Sequence, residues 1–214
     1  MTALVRYTLS MTVHGQAYLP PLILWASAVV VLTMNDLGPL TGSYAACAMT
    51  LFVCLTWLTA VQVNTESQTQ RAMTAVAAGG LPRVFVAHVL AALVFSAALT
   101  AVGLVFPIVA GTHTVTAADV AIGATAQGIC AVTGIAAGLL CSRPVVPRTG
   151  YAVVLALLLD GFLLIANAVP PVGPVVRGLN AGIPPGRLAG HAAVAVALLV
   201  LAVATASAVA SRRD

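Results

Sequence analysis

One residue in this chain stands where its chemistry is costly. Asp160 lies midway along the apolar run "VLALLLDGFLLIANA". A charged side chain at the centre of a hydrocarbon layer costs about 2.5–3.5 kcal/mol on insertion scales, so it must face protein or water. Two uses fit: a polar point on a transport path or a proton site, or a hydrogen bond clamping two helices. Gln127, at similar depth on the preceding run, is the candidate partner for a clamp. The five acidic residues (Asp36, Glu66, Asp119, Asp160, Asp214) are scattered one to a segment, which suggests no carboxylate pair for acid–base work. The chain has no lysine, so it contains no GxxxxGK[ST] phosphate loop and no P-loop ATPase of its own. HExxH, GxSxG and GxGxxG are also absent, and nothing here asks for an enzyme. Cys47, Cys54, Cys130 and Cys141 lie in or at the end of apolar runs, form no CxxC and read as small packing residues. His88, His191, Trp25 and Trp57 read as interfacial or packing residues without a site role.

The elements that must position these residues follow from composition. Hydrophobic residues make up 61% of the 214 and charged residues 7%, against about 25% charged in an ordinary soluble domain. Mean hydropathy is +1.07. A soluble helical core would show polar faces at helical spacing, whereas these runs are apolar all round, as in an integral membrane protein. Six spans are expected, at about 19–34, 44–63, 84–110, 120–141, 151–169 and 192–210 of one domain, 1–214. Residues 1–16 carry Leu4, Val5, Leu9 and Met11 on one helical face, as an interfacial helix or a frayed tail. Their early polar interruptions, from Ser10 to Gln16, do not fit the apolar core of a signal peptide.

Charge orders the spans. Arg6, Arg71, Arg83, Arg143, Arg148, Arg212 and Arg213 fall on one side, and Arg177 and Arg187 on the other beside Asp36 and Asp119. That asymmetry puts both termini in the cytoplasm. No basic stripe with interleaved aromatics suggests nucleic acid. Between spans five and six, Pro170–Gly190 is rich in Pro and Gly yet apolar, as an outer segment dipping back onto protein or as a plain loop. Gly134 and Gly138 form a GxxxG in the fourth span, a motif for close helix packing.

Between spans two and three the chain turns polar, "NTESQTQRAMTAVAAGGLPR". Ser67 and Gln70 fit a capping box, and Asn64 is a second cap candidate. Ala72, Met73, Val76 and Ala77 give an apolar strip opposite Arg71 and Thr74. Gly79 and Gly80 stop the helix and Pro82 opens the next. The reading is a short amphipathic cytoplasmic helix over Asn64–Ala78, lying on lipid or serving as a docking handle.

This layout resembles the permease subunits of ABC-2 type exporters. An interfacial N-terminal helix and six spans carry the resemblance, with a polar helix leading into "AAGGLPRVFVAHVLAALV" and an apolar, proline-rich outer segment. Glu66, Arg71, Gly79, Gly80 and Arg83 stand where that family places acidic or polar, small and basic residues. The Ala- and Val-rich, Lys-free composition is similar to that of actinobacterial members. The resemblance implies a bacterial plasma-membrane exporter pairing with a second copy or a sister permease. A separate cytoplasmic ATPase would supply ATP and magnesium. Glu66, Gln70, Arg71, Met73 and Arg83 would couple to it, and a hydrophobic drug, lipid or secondary metabolite would pass outward. Rival readings are a proton-coupled secondary transporter built on Asp160, and a membrane anchor without transport.

Overall fold

The computed structural model describes residues 1–34, 38–111, 115–166 and 169–212. Asp36, Arg213 and Asp214, counted above for charge, lie outside the described residues. Every regular element described is a helix: α1 (Thr2–His14), α2 (Leu19–Met34), α3 (Leu40–Thr65), α4 (Gln68–Ala78), α5 (Leu81–Ala110), α6 (Ala117–Leu140), α7 (Thr149–Ile165), α8 (Val172–Ala181) and α9 (Pro185–Ala210). Helices suit such apolar sequence because they satisfy their own backbone hydrogen bonds away from water.

Helices α3, α5, α6 and α9, of 26, 30, 24 and 26 residues, are each long and apolar enough to cross a membrane. This is the build of a multi-pass membrane protein. The sequence asks for six spans, but α2 has 16 residues and α7 has 17, short of the roughly 20 a full crossing takes. Helices α1 and α2 meet at 78°, and taken as one bent pair they make a fifth candidate span. Helix α7 ends at Ile165 rather than near 169, and the proline-rich stretch after it holds α8.

The core is built on α3 and α6. Leu51, Leu55 and Leu58 of α3 join Phe85 of α5 and Ile135 and Leu139 of α6 in one buried cluster. The GxxxG glycines set the spacing. A Cβ on Gly134 would sit 2.5 Å from the Phe52 carbonyl, and one on Gly138 2.5 Å from the Thr56 carbonyl. Backbone therefore meets backbone along this seam, the close approach that small residues permit. Helix α8 turns Val172, Val175 and Leu179 inward against α3 and α6. Arg177 closes the end of α7 by donating to the Leu164 and Ile165 carbonyls at 3.2 and 2.8 Å. The apolar, proline-rich segment that holds α8 is thus packed on protein.

The end of α3, the start of α5, the segment after α6 and the end of α9 gather at one end of the bundle. Asn64 Oδ1 accepts from the Arg143 backbone at 2.7 Å, and Ala210 shares a cavity with Glu66. Helices α1 and α4 sit at that same end.

Candidate functional site

Helix α4 forms as its sequence suggests at the ends but not along its faces. The Ser67 hydroxyl accepts from the Gln70 amide at 3.2 Å, half of a capping box. The other half is missing, because the Gln70 side chain donates instead to the Tyr7 hydroxyl of α1 at 2.7 Å. At the far end Gly79 adopts φ 79°, the left-handed stop that favours glycine. Arg83 donates to the freed Ala78 carbonyl at 2.9 Å. Asn64 is no cap. It lies in the last turn of α3, which runs on to Thr65, so α4 begins at Gln68 and not at 64.

The faces are inverted relative to a helix packed by hydrophobic burial. Ala72, Met73, Val76 and Ala77 all point outward, with Met73 64% and Val76 85% exposed. Arg71, on the polar face opposite that strip, is 7% exposed and turned under the helix. Its guanidinium donates to the carbonyls of Val63 and Glu66 at 3.1 and 3.3 Å. Those carbonyls belong to the end of α3, where backbone oxygens lack helical donors and a cation is favoured.

Glu66 completes the joint. Its Oε1 accepts from Thr74 of α4 at 2.8 Å, and its Oε2 lies 3.4 Å from His88 Nε2 of α5, at an angle short of a formed hydrogen bond. Gln62, one turn earlier on α3, donates to the His88 carbonyl at 3.3 Å. Burial alone would raise the Glu66 carboxyl. The contacts with His88 and Thr74 and the charge on Arg71 outweigh that and hold it below its ordinary value. A polar cavity of about 300 Å³ beside it is lined by Gln68, Arg71 and Arg143, so counter-charge is near.

Of the five residues expected to couple, Glu66 and Arg71 are buried and hold α4 in place, because a buried charge must be paired. Gln70 ties α4 to α1, Arg83 caps it, and Met73 is the one on its outward apolar face. Tyr7, Gln62, Thr74 and His88 were not assigned to the site by sequence. Their shared signal is a polar group on or beside an otherwise apolar helix near one end of the bundle.

Asp160 and Gln127 do not form a pair. Asp160 Oδ1 accepts from the Thr56 hydroxyl of α3 at 3.0 Å, and that hydroxyl also lies 3.1 Å from the Phe52 carbonyl. A hydroxyl has one proton, so the two acceptors share it. The Gln127 amide lies against Gly103 of α5, fully buried, with neither its oxygen nor its nitrogen hydrogen-bonded among the described residues. Comparison of the chain with protein-family models, curated proteins and solved structures finds no match in any of the three.

Proposed function

We propose that this chain is the membrane-spanning permease subunit of an ATP-driven exporter of the ABC-2 kind. In this reading it works in a bacterial plasma membrane with both termini in the cytoplasm. Helices α2 and α7 complete six spans by thinning the bilayer around them. The observation that carries the proposal is the inverted helix α4. Its polar face is latched to α3, α5 and α1, and its apolar face is left for something else to cover. A helix fixed to two spans passes on a push, and a flexible loop would not. Beside Met73 a groove of about 560 Å³ runs between α4 and α1, past Leu4, Tyr7 and Ala77, and offers a seat for a partner. The partner is a separate ATPase that supplies ATP and magnesium, and a second permease copy or a sister permease completes the path.

Position supports the orientation. Arg71, Arg83 and Arg143 belong to the α4 end, whereas Arg177 and Arg187 lie on α8 and early α9 at the opposite end. Such a bias marks a cytoplasmic side.

The test is affinity purification of the chain from its native membrane in mild detergent, with and without Met73→Asp and Val76→Asp. The exporter reading expects a P-loop ATPase to accompany the parent chain and to be lost from the double variant. Its absence from both would sink the reading and turn attention to proton-driven transport through Asp160.

A further inference from the structure

A hollow of about 430 Å³ lies between α3 and α7, with Asp160 and Thr56 in its wall. That volume falls in the range of about 300–1,000 Å³ typical of small-molecule sites. The hollow exists because small residues face it: Ala60 from α3, and Ala152 and Ala156 from α7. Val53, Trp57 and Leu157 keep most of the wall apolar, and Asn64 and Cys141 line it toward the α4 end. Asp160 is the only charged residue in that lining.

We infer that this groove binds an amphiphilic organic cation that enters from the lipid, with Asp160 as its counter-charge. The mouth carries the first half of the argument. Trp57, Val153 and Leu157 are 43%, 54% and 65% exposed, and on a chain of this kind such surfaces meet acyl chains. An occupant dissolved in the bilayer therefore has a way into the groove. The carboxylate carries the second half. It is 5% exposed and takes one hydrogen bond, from a hydroxyl shared with the Phe52 carbonyl. An ionised carboxylate offers about four acceptor positions, and leaving one uncompensated in an apolar wall is expensive. A ligand cation supplies what the wall lacks, and the Trp57 ring can add a cation–π contact. Among the described residues no three His, Cys, Asp or Glu side chains gather there as a transition-metal site would need.

The inference does not rest on the exporter reading, and its test contains no ATPase. The full chain is placed in lipid nanodiscs and equilibrium binding of tetraphenylphosphonium is measured, with empty nanodiscs subtracted for partitioning. Tetraphenylborate, of the same shape and opposite charge, is the control. Saturable binding of the phosphonium is expected, with the borate excluded. Asp160→Asn should weaken it about ten-fold or more, the scale of 1.4 kcal/mol per decade, while Asp160→Glu retains it. Ala156→Phe should weaken it similarly by filling the hollow without touching the charge. Melting curves of the three variants separate lost binding from lost fold. Equal binding of phosphonium and borate, binding unchanged by Asp160→Asn or Ala156→Phe, or a signal no greater than that of empty discs would each overturn it.

Discussion

Glu66 and Asp160 are both carboxylates, both nearly fully buried, 7% and 5% exposed, and both touch α3. Their surroundings differ. Glu66 sits among Thr74, His88, Arg71 and the nearby Arg143, drawn from two helices and a connecting segment. Asp160 has one shared hydroxyl and an apolar hollow beside it. The first carboxylate has its partners built in and serves as a joint. The second has no counter-charge in its lining among the described residues and reads as a place where something arrives. Burial alone does not distinguish structure from function here; the supply of opposite charge does.

That contrast can be broken most severely at Arg71. Arg71→Ala removes the cation whose two contacts close the end of α3, and hydrogen bonds to charged groups are worth about 1.5–3 kcal/mol each. A loss of about 3 kcal/mol is expected in denaturant unfolding in mild detergent, with faster amide exchange along α4. A loss below about 1 kcal/mol would mean the joint does not hold α4.

The next effect is one of pH. Glu66 is held below its ordinary value in the folded chain. Its carboxylate therefore contributes stability that is fully present above the ordinary value of 4.5 and is lost as pH falls through the lowered one. Amide exchange along α4, corrected for intrinsic rate, should rise in that acid range relative to α3. Glu66→Gln should flatten the dependence. A profile identical in the parent and the variant would assign the acid effect to another group.

The smallest effect belongs to Asp160→Asn. The amide oxygen still accepts from Thr56 and no buried charge remains to be compensated, so stability should stay within about 1 kcal/mol of the parent. A cost matching that of Arg71→Ala would erase the distinction between the two carboxylates.

Much of the framework was legible beforehand. Long charge-free runs mark α3, α5, α6 and α9, and Ser67, Gly79 and Gly80 bound α4 because caps depend on local backbone chemistry. The direction α4 faces was not legible. Periodicity separates an apolar strip from a polar one without saying which points inward, and here carbonyls at the end of α3 hold the polar one. The prolines and glycines around α8 suggest broken backbone, and sequence alone gives no helix there. Pro174 nevertheless falls in the first turn, where a missing amide costs little, and Gly182 forms the left-handed stop. The Thr56 partner of Asp160 was hidden for another reason. Threonines in apolar helices usually bond their own backbone, as Thr50 and Thr133 do here, so nothing marks one of them in sequence as reaching across to another helix.

The glycine seam of α3 and α6 has a mechanical consequence. Where Gly134 and Gly138 bring backbone against backbone, α3 and α6 are left little room to shift against one another. Helix α7 meets α3 across a partly hollow joint instead. In the exporter reading, a load applied at α4 would enter this close-packed pair at the end of α3 and meet its loosely packed side at α7. The wall that holds Asp160 then has room to give way.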